Sequence, residues 1–598
     1  MRNEDIEIEV LAIDKMVIKK SRTITVLNEL GEKLIWAGEI YDEDSKVKKQ
    51  HAIIFDSFGK EIKRFKKSDF QDRSYVTEGT LISDARISFI EYSPKDYPYT
   101  IQYESEVREG STIFVRDWRP VKSYSMSVER SSYILKNPSQ IPIRFSERNF
   151  SSHNIKKVTS KHELEYVIKN LPAYKFEKLG PDLKNFVPWV KVALNQFSLV
   201  GVVGEAANWK ELGKWQYDNL LKNKLELPES TKNEVANLTS KSSDIREKIQ
   251  LIYNYVQENT RYVSVQLGIG GWEPMSAMEV DQVKYGDCKA LTNYTRALLN
   301  SQNIPSNYAV VYGGNHMKDI DENFASMEGN HVILQVPLED ENIWLECTSQ
   351  STPINYIAGF TDNRKVLIIS QEGGEIVKTK EYGVANNLRG TKAVIYIDEI
   401  GGFKAQLERE RFGAQYGKIY QIESLDEDEK ELYYKEEFAH LRGLQVDEMI
   451  HVNDRRTPKF SETLYLKGER YTTKIGNSFI LPLGFTKLPI LDLPRSSDRK
   501  FPFELERGIN IQDQFTFFLP ITTPIETLPD NVDLKNEYGF FQIEVSLEEK
   551  GEALAIIVKR NFKLNPGLWP AVKYKEFRDF INKVKSQCNP KIVIDNIN

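Results

Sequence analysis

Hydrophobic and polar residues alternate in short runs through the early part of the chain, from about residue 16 to residue 133. Residues 23–27 and 34–36 are two such runs, and the turn residues 28–31 separate them. Residues 51–62 have the same pattern around a central turn. Alternation with a period of two, interrupted by turn residues, predicts antiparallel strands joined by hairpins. Many short strands of this kind are typical of a β-sandwich.

A helical period replaces this alternation near the middle of the chain. Ile249, Ile252 and Val256 recur at spacings of three and four residues, which is the spacing of one helix face. Asp244 stands three positions before Glu247, an arrangement that favours a helix start. These signals predict a mixed α+β domain.

Alternation returns after about residue 382, for example in residues 393–397 and 553–558. An apolar stripe at helical spacing follows near the C-terminus, made of Tyr574, Phe577, Phe580, Ile581 and Val584. We therefore expect a multidomain α+β protein. Its predicted domains are a sandwich-like β-rich domain (1–180), an α+β domain (181–381) and a β-rich domain closed by a terminal helix (382–598).

Composition narrows the possible functions. The 598 residues are more than one hydrophobic core usually organises. The 81 Lys and Arg residues against 87 Asp and Glu give a net charge of -6, which argues against a nucleic-acid-binding protein. Three cysteines cannot form a disulfide framework. The pattern contains no transmembrane segment and no recognisable signal peptide, so the protein is cytoplasmic or an export signal is absent from this sequence.

Cys288 is the first candidate for chemistry. Gly286 and Asp287 precede it, and Leu291 and Tyr294 follow it at the spacing of one helix face. The pattern places the cysteine in the first turn of a helix, where free amide groups and the helix dipole stabilise a thiolate. Cys288 is therefore a candidate nucleophile.

A nucleophilic cysteine needs a base and a group that orients the base. His331 opens the predicted strand 331–338, and a polar turn folds the chain back into residues 343–348. Because side chains alternate across a strand, His331 and Glu346 are expected on the same face. One hairpin register places them directly opposite each other, and a tighter register separates them by four strand positions. The alternation of side chains predicts that His331 and Glu346 share a face, and it does not determine the register of the hairpin.

Other residues have weaker signals. The glycine-rich stretch 268–271 leads to Trp272, and Gln266 stands just before it, so backbone amides, Gln266 or Trp272 could stabilise an oxyanion. Trp272 could equally be a core aromatic residue. Cys347 falls on the apolar face and is expected to be a buried hydrophobic residue, and Cys588 is assigned no chemistry. No metal or nucleotide motif is present, so we expect no cofactor and no metal, calcium included.

At this point the residues resemble a known family. Residues 261–274, the Tyr-Gly-Asp-Cys-Lys run at 285–289, His331 and the Trp-Leu-Glu-Cys-Thr run at 344–348 look like the transglutaminase-like superfamily of papain-type cysteine enzymes. The N-terminal third, with residues 55–62, resembles the DUF3857 domain that precedes it in many Bacteroidetes proteins. The C-terminal third resembles the DUF3858 domain that follows it there.

The resemblance implies a catalytic triad of Cys288, His331 and Glu346. The wider superfamily more often has aspartate at the third position, so the glutamate is a departure that reaches one methylene further. The resemblance also implies a periplasmic or cell-envelope location. A peptide or protein is the expected substrate, and the oligomeric state is open.

Two functions from different classes follow. The first is a thiol-dependent protease or amidase, or an acyl transferase if an amine replaces water as the acceptor; resemblance to bacterial members favours hydrolysis. The second is a non-catalytic cell-envelope binding or scaffold protein in which the flanking β domains recognise a partner. Reactivity of the Cys288 thiol distinguishes the two hypotheses.

Overall fold

The computed structural model describes residues 1–76 and 80–595, except for the side chains of residues 80–82, 265, 266 and 595. The strands of the N-terminal part are β1 (Asn3–Ala12), β2 (Lys15–Val26), β3 (Gly38–Tyr41), β4 (Ser45–Phe55), β5 (Glu61–Phe65), β6 (Gln71–Ser74), β7 (Thr80–Ser83), β8 (Arg86–Phe89), β9 (Tyr99–Glu109), β10 (Val128–Lys136), β11 (Ile143–Arg148), β12 (Ile155–Thr159) and β13 (Glu163–Leu171). Eight of these described strands form one sheet in the order β12-β13-β10-β1-β2-β9-β4-β5.

A smaller sheet, β3-β8-β6, packs on this large sheet. Buried polar contacts join the two, because Gln50 donates to the Ser88 carbonyl at 3.0 Å and Tyr103 donates to Glu39 at 3.2 Å. The sandwich-like arrangement predicted for this part of the chain is therefore observed. The predicted strand at 34–36 is wrong. A 3-10 helix spans Glu29–Leu34; Leu34 and Ile35 pack against the N-terminal core, whereas Trp36 is 41% exposed.

The central part contains both helices and strands. Its helices are α1 (Trp209–Gln216), α2 (Glu229–Thr239), α3 (Ile245–Asn259), α4 (Ala277–Val283) and α5 (Cys288–Ser301). Its strands are β14 (Trp189–Leu194), β15 (Gln196–Leu199), β16 (Val202–Glu205), β17 (Arg261–Tyr262), β18 (Ser264–Gln266), β19 (Tyr285–Gly286), β20 (Asn307–Val311), β21 (His331–Pro337), β22 (Asn342–Leu345), β23 (Lys365–Ser370) and β24 (Gly373–Lys378).

An antiparallel sheet in the order β22-β21-β20-β23-β24 forms the centre of this part. Helix α5 packs on one face through a core that includes Leu291, Leu298 and Leu334. Ile333 and Trp344 lie in a separate cluster on the other face. The alternation of side chains along β21 thus assigns its residues to the two faces as predicted.

The C-terminal part contains β25 (Leu388–Ile397), β26 (Phe403–Phe412), α6 (Glu427–Glu437), β27 (Gln445–Asp454), β28 (Lys459–Gly468), β29 (Thr473–Ile475), β30 (Ser478–Pro482), β31 (Phe503–Leu505), β32 (Ile509–Pro520), β33 (Val532–Asn536), β34 (Gly539–Lys550), β35 (Ala553–Leu564), β36 (Gly567–Trp569), α7 (Tyr574–Gln587) and β37 (Lys591–Asp595). Its large sheet has the order β27-β28-β26-β25-β32-β35-β34-β33. Helix α7 buries all five residues of the predicted apolar stripe against this sheet. The predicted multidomain α+β class with a terminal helix is confirmed.

Contacts cross between the parts of the chain. Strand β14 pairs with β11, so backbone hydrogen bonds join residues on both sides of position 180. Strand β18 pairs in parallel with β7 of the N-terminal part. The boundaries proposed at residues 180 and 381 stay predictions. Among the described residues, no helix has both the length and the apolar character needed to cross a membrane.

Helix α1 packs directly on the backbone of β24, and glycine makes this approach possible. A Cβ atom at Gly213 would lie 2.3 Å from the Cα atom of Gly374. We expect Gly213→Ala to lower the stability of the protein by about 1–3 kcal/mol through overpacking, although alanine has the higher helix propensity. Thermal unfolding measures the change.

Gly390→Ala is the matched control, since a Cβ atom there would meet no described atom within 4 Å. A Gly213→Ala variant as stable as the wild type would contradict the close packing of α1 on β24.

Candidate active site

Cys288 is the first residue of α5, as the sequence predicts, and its neighbours form the helix start. Asp287 is the helix cap and accepts a hydrogen bond from the Ala290 amide at 3.0 Å. The Lys289 ammonium group pairs with the other Asp287 oxygen, and both side chains are buried. Gly286 is required because a Cβ atom there would lie 2.6 Å from the Ala290 methyl group. The Tyr-Gly-Asp-Cys-Lys run thus forms the turn and the helix cap that fix the position of the Cys288 thiol.

Helix α5 is fixed against β21, the strand that carries the histidine. The Thr292 hydroxyl, one turn after Cys288, donates to the carbonyl of Val332 at 3.4 Å. His331, the first residue of β21, is adjacent to Val332. The helix and the strand therefore bring the thiol and the imidazole to the same end of the domain.

His331 is held from three directions. Its Nε2 atom lies 3.0 Å and 2.9 Å from the two carboxylate oxygens of Glu346. The Phe360 ring packs edge-on against the imidazole, with centroids 5.3 Å apart. A Cβ atom at Gly313 would lie 3.1 Å from the Cβ atom of His331, so the chain passes tightly beside the histidine. These contacts leave the ring little freedom to rotate.

Glu346 is positioned by its own neighbours. The Thr348 hydroxyl donates to its Oε1 atom at 2.6 Å, and the Thr348 amide donates to the same oxygen at 3.3 Å. Tyr253 of α3 donates to the Glu346 carbonyl at 2.8 Å. The carboxylate therefore faces His331 with its orientation fixed by hydrogen bonds.

The hairpin register differs from both alternatives considered for the sequence. Gln335 pairs with Trp344 and Val336 pairs with Ile343, so continuing this register would place Glu346 two positions away from His331 along the strand. Strand β22 ends at Leu345, and Glu346 begins the exit from the sheet. A diagonal neighbour is within reach of a long side chain. The extra methylene of glutamate suits this geometry.

The electrostatics of the pair follow from its burial and its charges. Burial alone would lower the pKa of His331, but the Glu346 carboxylate and the nearby Cys288 thiol raise it to about 10. Burial alone would raise the pKa of Glu346, but His331 and the Thr348 hydrogen bonds lower it. Histidine and glutamate thus form a buried ion pair at neutral pH.

The other cysteines lack such surroundings. Cys347 is 2% exposed and packs in the core between α5 and the sheet. Burial raises its pKa to about 12. Burial also raises the pKa of the Cys588 thiol, which lies just after α7. Both residues favour the protonated thiol, in contrast to a nucleophile.

The structure describes the surroundings of Trp272, one of the two residues predicted to stabilise an oxyanion. Trp272 ends the glycine-rich turn and packs against Phe114 of the N-terminal part in a tilted arrangement, with ring centroids 4.8 Å apart. Both belong to the hydrophobic cluster that contains Cys288. Asp84 accepts a hydrogen bond from the Gly268 amide at 2.7 Å. The side chain of Gln266 lies outside the described residues. Its role and that of Trp272 stay predictions.

Metal chemistry has no evident location in the part of the chain that the structure describes. Within it, no group of three or more His, Cys, Asp or Glu side chains is arranged to hold a metal ion.

Three family models match the chain. Residues 14–175 match DUF3857 and residues 477–594 match DUF3858, each described as a domain of unknown function with a solved structure. Residues 232–348, which contain Cys288, His331 and Glu346, match the transglutaminase-like superfamily. The chain has the DUF3857, transglutaminase-like and DUF3858 domain architecture. No curated protein matches it.

Solved structures show where the fold recurs. A crystal structure of a "putative protease" from Parabacteroides distasonis matches 99% of this chain and 98% of its own length, at 13% identity and a TM-score of 0.62. A "putative cysteine protease" from Cytophaga hutchinsonii matches 61% of this chain and 86% of its own length, at 10% identity and a TM-score of 0.17. The first match shows a shared fold over nearly the whole chain, and the second is too dissimilar to add to that.

Sequence reasoning missed several residues around the transglutaminase-like site. Thr348 and Tyr253 orient Glu346, and Phe360 packs on His331. Tyr262 is a further neighbour: strand β17 pairs it with Gly286, and the charge of Cys288 contributes to the rise in its pKa, after burial. Tyr253 follows Ile252, which belongs to the apolar face predicted for α3, so the helical period indicated that Tyr253 lies near the core. No comparable pattern marked the others.

The high pKa of His331 depends on the carboxylate. We expect Glu346→Gln to lower the pKa of His331 from about 10, because only Cys288 then opposes the effect of burial. Histidine NMR over a pH series measures the change, with a His331→Asn spectrum to assign the signal. Glu346→Asp is the control: it keeps the charge, so the pKa should stay above that of the Gln variant. An unchanged pKa in Glu346→Gln would contradict the ion pair.

The same pair makes stability depend on pH. The raised pKa of His331 stabilises the fold fully below about 6.5, and this contribution is lost as pH rises through about 10. The lowered pKa of Glu346 stabilises the fold above about 4.5, and this contribution is lost as pH falls. We expect the stability difference between wild type and a His331→Asn, Glu346→Gln double variant to be largest near pH 5–6. Urea denaturation from pH 4 to pH 10.5 tests this expectation, and a difference that is flat with pH would contradict it.

Proposed function

We propose that this protein is a thiol-dependent hydrolase that cleaves amide bonds of a peptide or protein through Cys288. The observation that carries the proposal is the contact of both Glu346 oxygens with His331 Nε2, next to a cysteine at a helix start. The match to the transglutaminase-like superfamily supports the same coarse class of thiol enzyme. The periplasmic or cell-envelope location expected from the resemblance is part of this proposal.

The first half of the proposed reaction forms a thioester. The Glu346 carboxylate accepts the hydrogen bond from Nε2 of His331. The other ring nitrogen, Nδ1, is then the atom that exchanges a proton with the thiol. The protonated imidazole and the amide groups at the start of α5 favour the Cys288 thiolate. The thiolate attacks the carbonyl carbon, and His331 gives its proton to the leaving amine. The C–N bond breaks and the acyl group remains on the sulfur.

The second half releases the acyl group. Water enters, His331 takes one of its protons, and the resulting hydroxide equivalent attacks the thioester. The carboxylic acid leaves and the thiol is restored. An amine in place of water would give acyl transfer by the same steps. The amides of the first turn of α5, with Trp272 or Gln266, are the proposed donors to the oxyanion.

One observation favours the second candidate, a non-catalytic envelope binding or scaffold protein. Cys288 is only 8% exposed, and the His331 and Glu346 side chains are 11% and 10% exposed. A scaffold could keep this constellation as a buried structural element. A catalyst would have to admit its substrate to the thiol.

Thiol reactivity separates the two candidates. We expect iodoacetamide at about pH 6 to alkylate Cys288 at least tenfold faster than Cys347 or Cys588, because only Cys288 has an imidazolium partner. Peptide mass spectrometry after a short exposure measures the three rates in one sample. His331→Asn should remove the advantage of Cys288. Equal rates for all three cysteines in the native protein would overturn the thiol-enzyme proposal and favour the scaffold.

Turnover is the second test. We expect Cys288→Ala to reduce cleavage of an unstructured protein such as casein by at least about a thousandfold, because no other described group provides the nucleophile. Cys588→Ser is the matched control and should keep full activity. Incorporation of a fluorescent primary amine into the same substrate measures transfer. Amine incorporation faster than cleavage would overturn the hydrolytic assignment and leave the thiol mechanism in place.

A further inference from the structure

The inner face of the C-terminal sheet has a row of polar residues that crosses five neighbouring strands. In strand order from β28 to β35, cross-strand pairing connects Glu462, Arg409, Thr391, Asp513 and Arg560. All five are at most 4% exposed. Buried charged residues in such a row need compensation for the water they have lost.

A second pair of arginines lies beside this row. Arg389 of β25 is directly opposite Arg411 of β26, and the two are 8% and 4% exposed. Like charges directly opposite each other on neighbouring strands destabilise a sheet. An anionic group near these two side chains would offset this repulsion, and of the two only Arg411 has a described carboxylate closer than 4.0 Å.

The carboxylates present do not balance the charge. Glu437 and Glu462 are shared between Arg409 and Arg411, with N–O distances from 2.6 to 3.3 Å. Asp513 pairs closely with Arg560, at 2.6 Å, and is 4.0 Å from Arg389.

Arg389 has no closer counterion among the described residues. The four buried arginines thus have three carboxylate partners, an excess of one positive charge.

Lys418 adds a positive charge at the surface. It stands on the turn that follows β26 and is exposed. Partial burial of the ammonium group lowers its pKa, and the positive charges of Arg389 and Arg411 lower it further. Lys418 is thus an exposed cation within electrostatic range of the two buried arginines.

Several donors point into this region without a partner. Nε of Arg389, Nε of Arg411, and Nε and Nη2 of Arg409 have no hydrogen-bond partner among the described residues. The Thr391 hydroxyl is a further unpaired donor there, and Asp513 Oδ1 is an unpaired acceptor. Unpaired buried guanidinium groups are costly, and planar N–H donors match the oxygens of a phosphate or sulfate ion.

We propose that Arg389, Arg411 and Lys418 bind a small tetrahedral oxyanion of the phosphate class within the C-terminal domain. The anion neutralises the opposed arginines, accepts hydrogen bonds from the orphaned Nε groups and enters past Lys418. The site is separate from Cys288 and does not depend on the thiol chemistry.

Isothermal titration calorimetry of the full chain with inorganic phosphate tests the proposal, at constant ionic strength set by sodium chloride. We expect one site per chain, with sulfate as a competitor. Lys418→Ala should weaken the affinity at least tenfold, because it removes one of the three cations while leaving the core intact. The matched control is Lys404→Ala, an exposed lysine on β26, which should bind as the wild type does.

Thermal unfolding gives a second readout. Phosphate should raise the unfolding temperature of the wild type with increasing concentration, and the rise should be smaller in Lys418→Ala. Titration with O-phosphoserine distinguishes a free ion from a phosphate ester: tighter binding than inorganic phosphate identifies an esterified ligand. Absence of phosphate binding by the wild type, or equal binding by Lys418→Ala, would overturn the proposal and leave buried water as the partner of the arginines.

Discussion

The buried contact between His331 and Glu346 is the interaction on which the rest of the central domain depends. An isolated charge in this position would be costly, because burial removes the water that would otherwise surround it. The pair is stable only if both partners are held in place. The Thr348 hydroxyl and amide, the Tyr253 hydroxyl and the edge of Phe360 supply that restraint. Much of the local packing is thus arranged around one ion pair.

The sequence could predict those features that depend on local periodicity. The helix start at Cys288 followed from a glycine turn and an apolar helix face, and α5 begins there. The face shared by His331 and Glu346 followed from the alternation of side chains along two strands. Helix α7 followed from its apolar stripe. Each of these features depends only on residues that are close together in the sequence.

Features that depend on long-range geometry could not be predicted. The hairpin register is set by the turn between β21 and β22, where Leu338 donates its amide to the Glu341 carbonyl at 2.9 Å, and several polar turns of that length would suit the sequence. The opposition of Arg389 and Arg411 requires β25 and β26 to pair in one register. The role of Thr348 became visible only when its hydroxyl lay against Glu346.

The packing of Phe114 against Trp272, together with the hydrogen bond from Gly268 to Asp84, connects the N-terminal part to the surroundings of Cys288. Part of the hydrophobic cluster that contains Cys288 is contributed by residues more than 150 positions upstream of it. A fragment limited to the superfamily match would lack that part of the cluster and would expose apolar surface to solvent. Excision of the transglutaminase-like region would therefore change the immediate surroundings of Cys288.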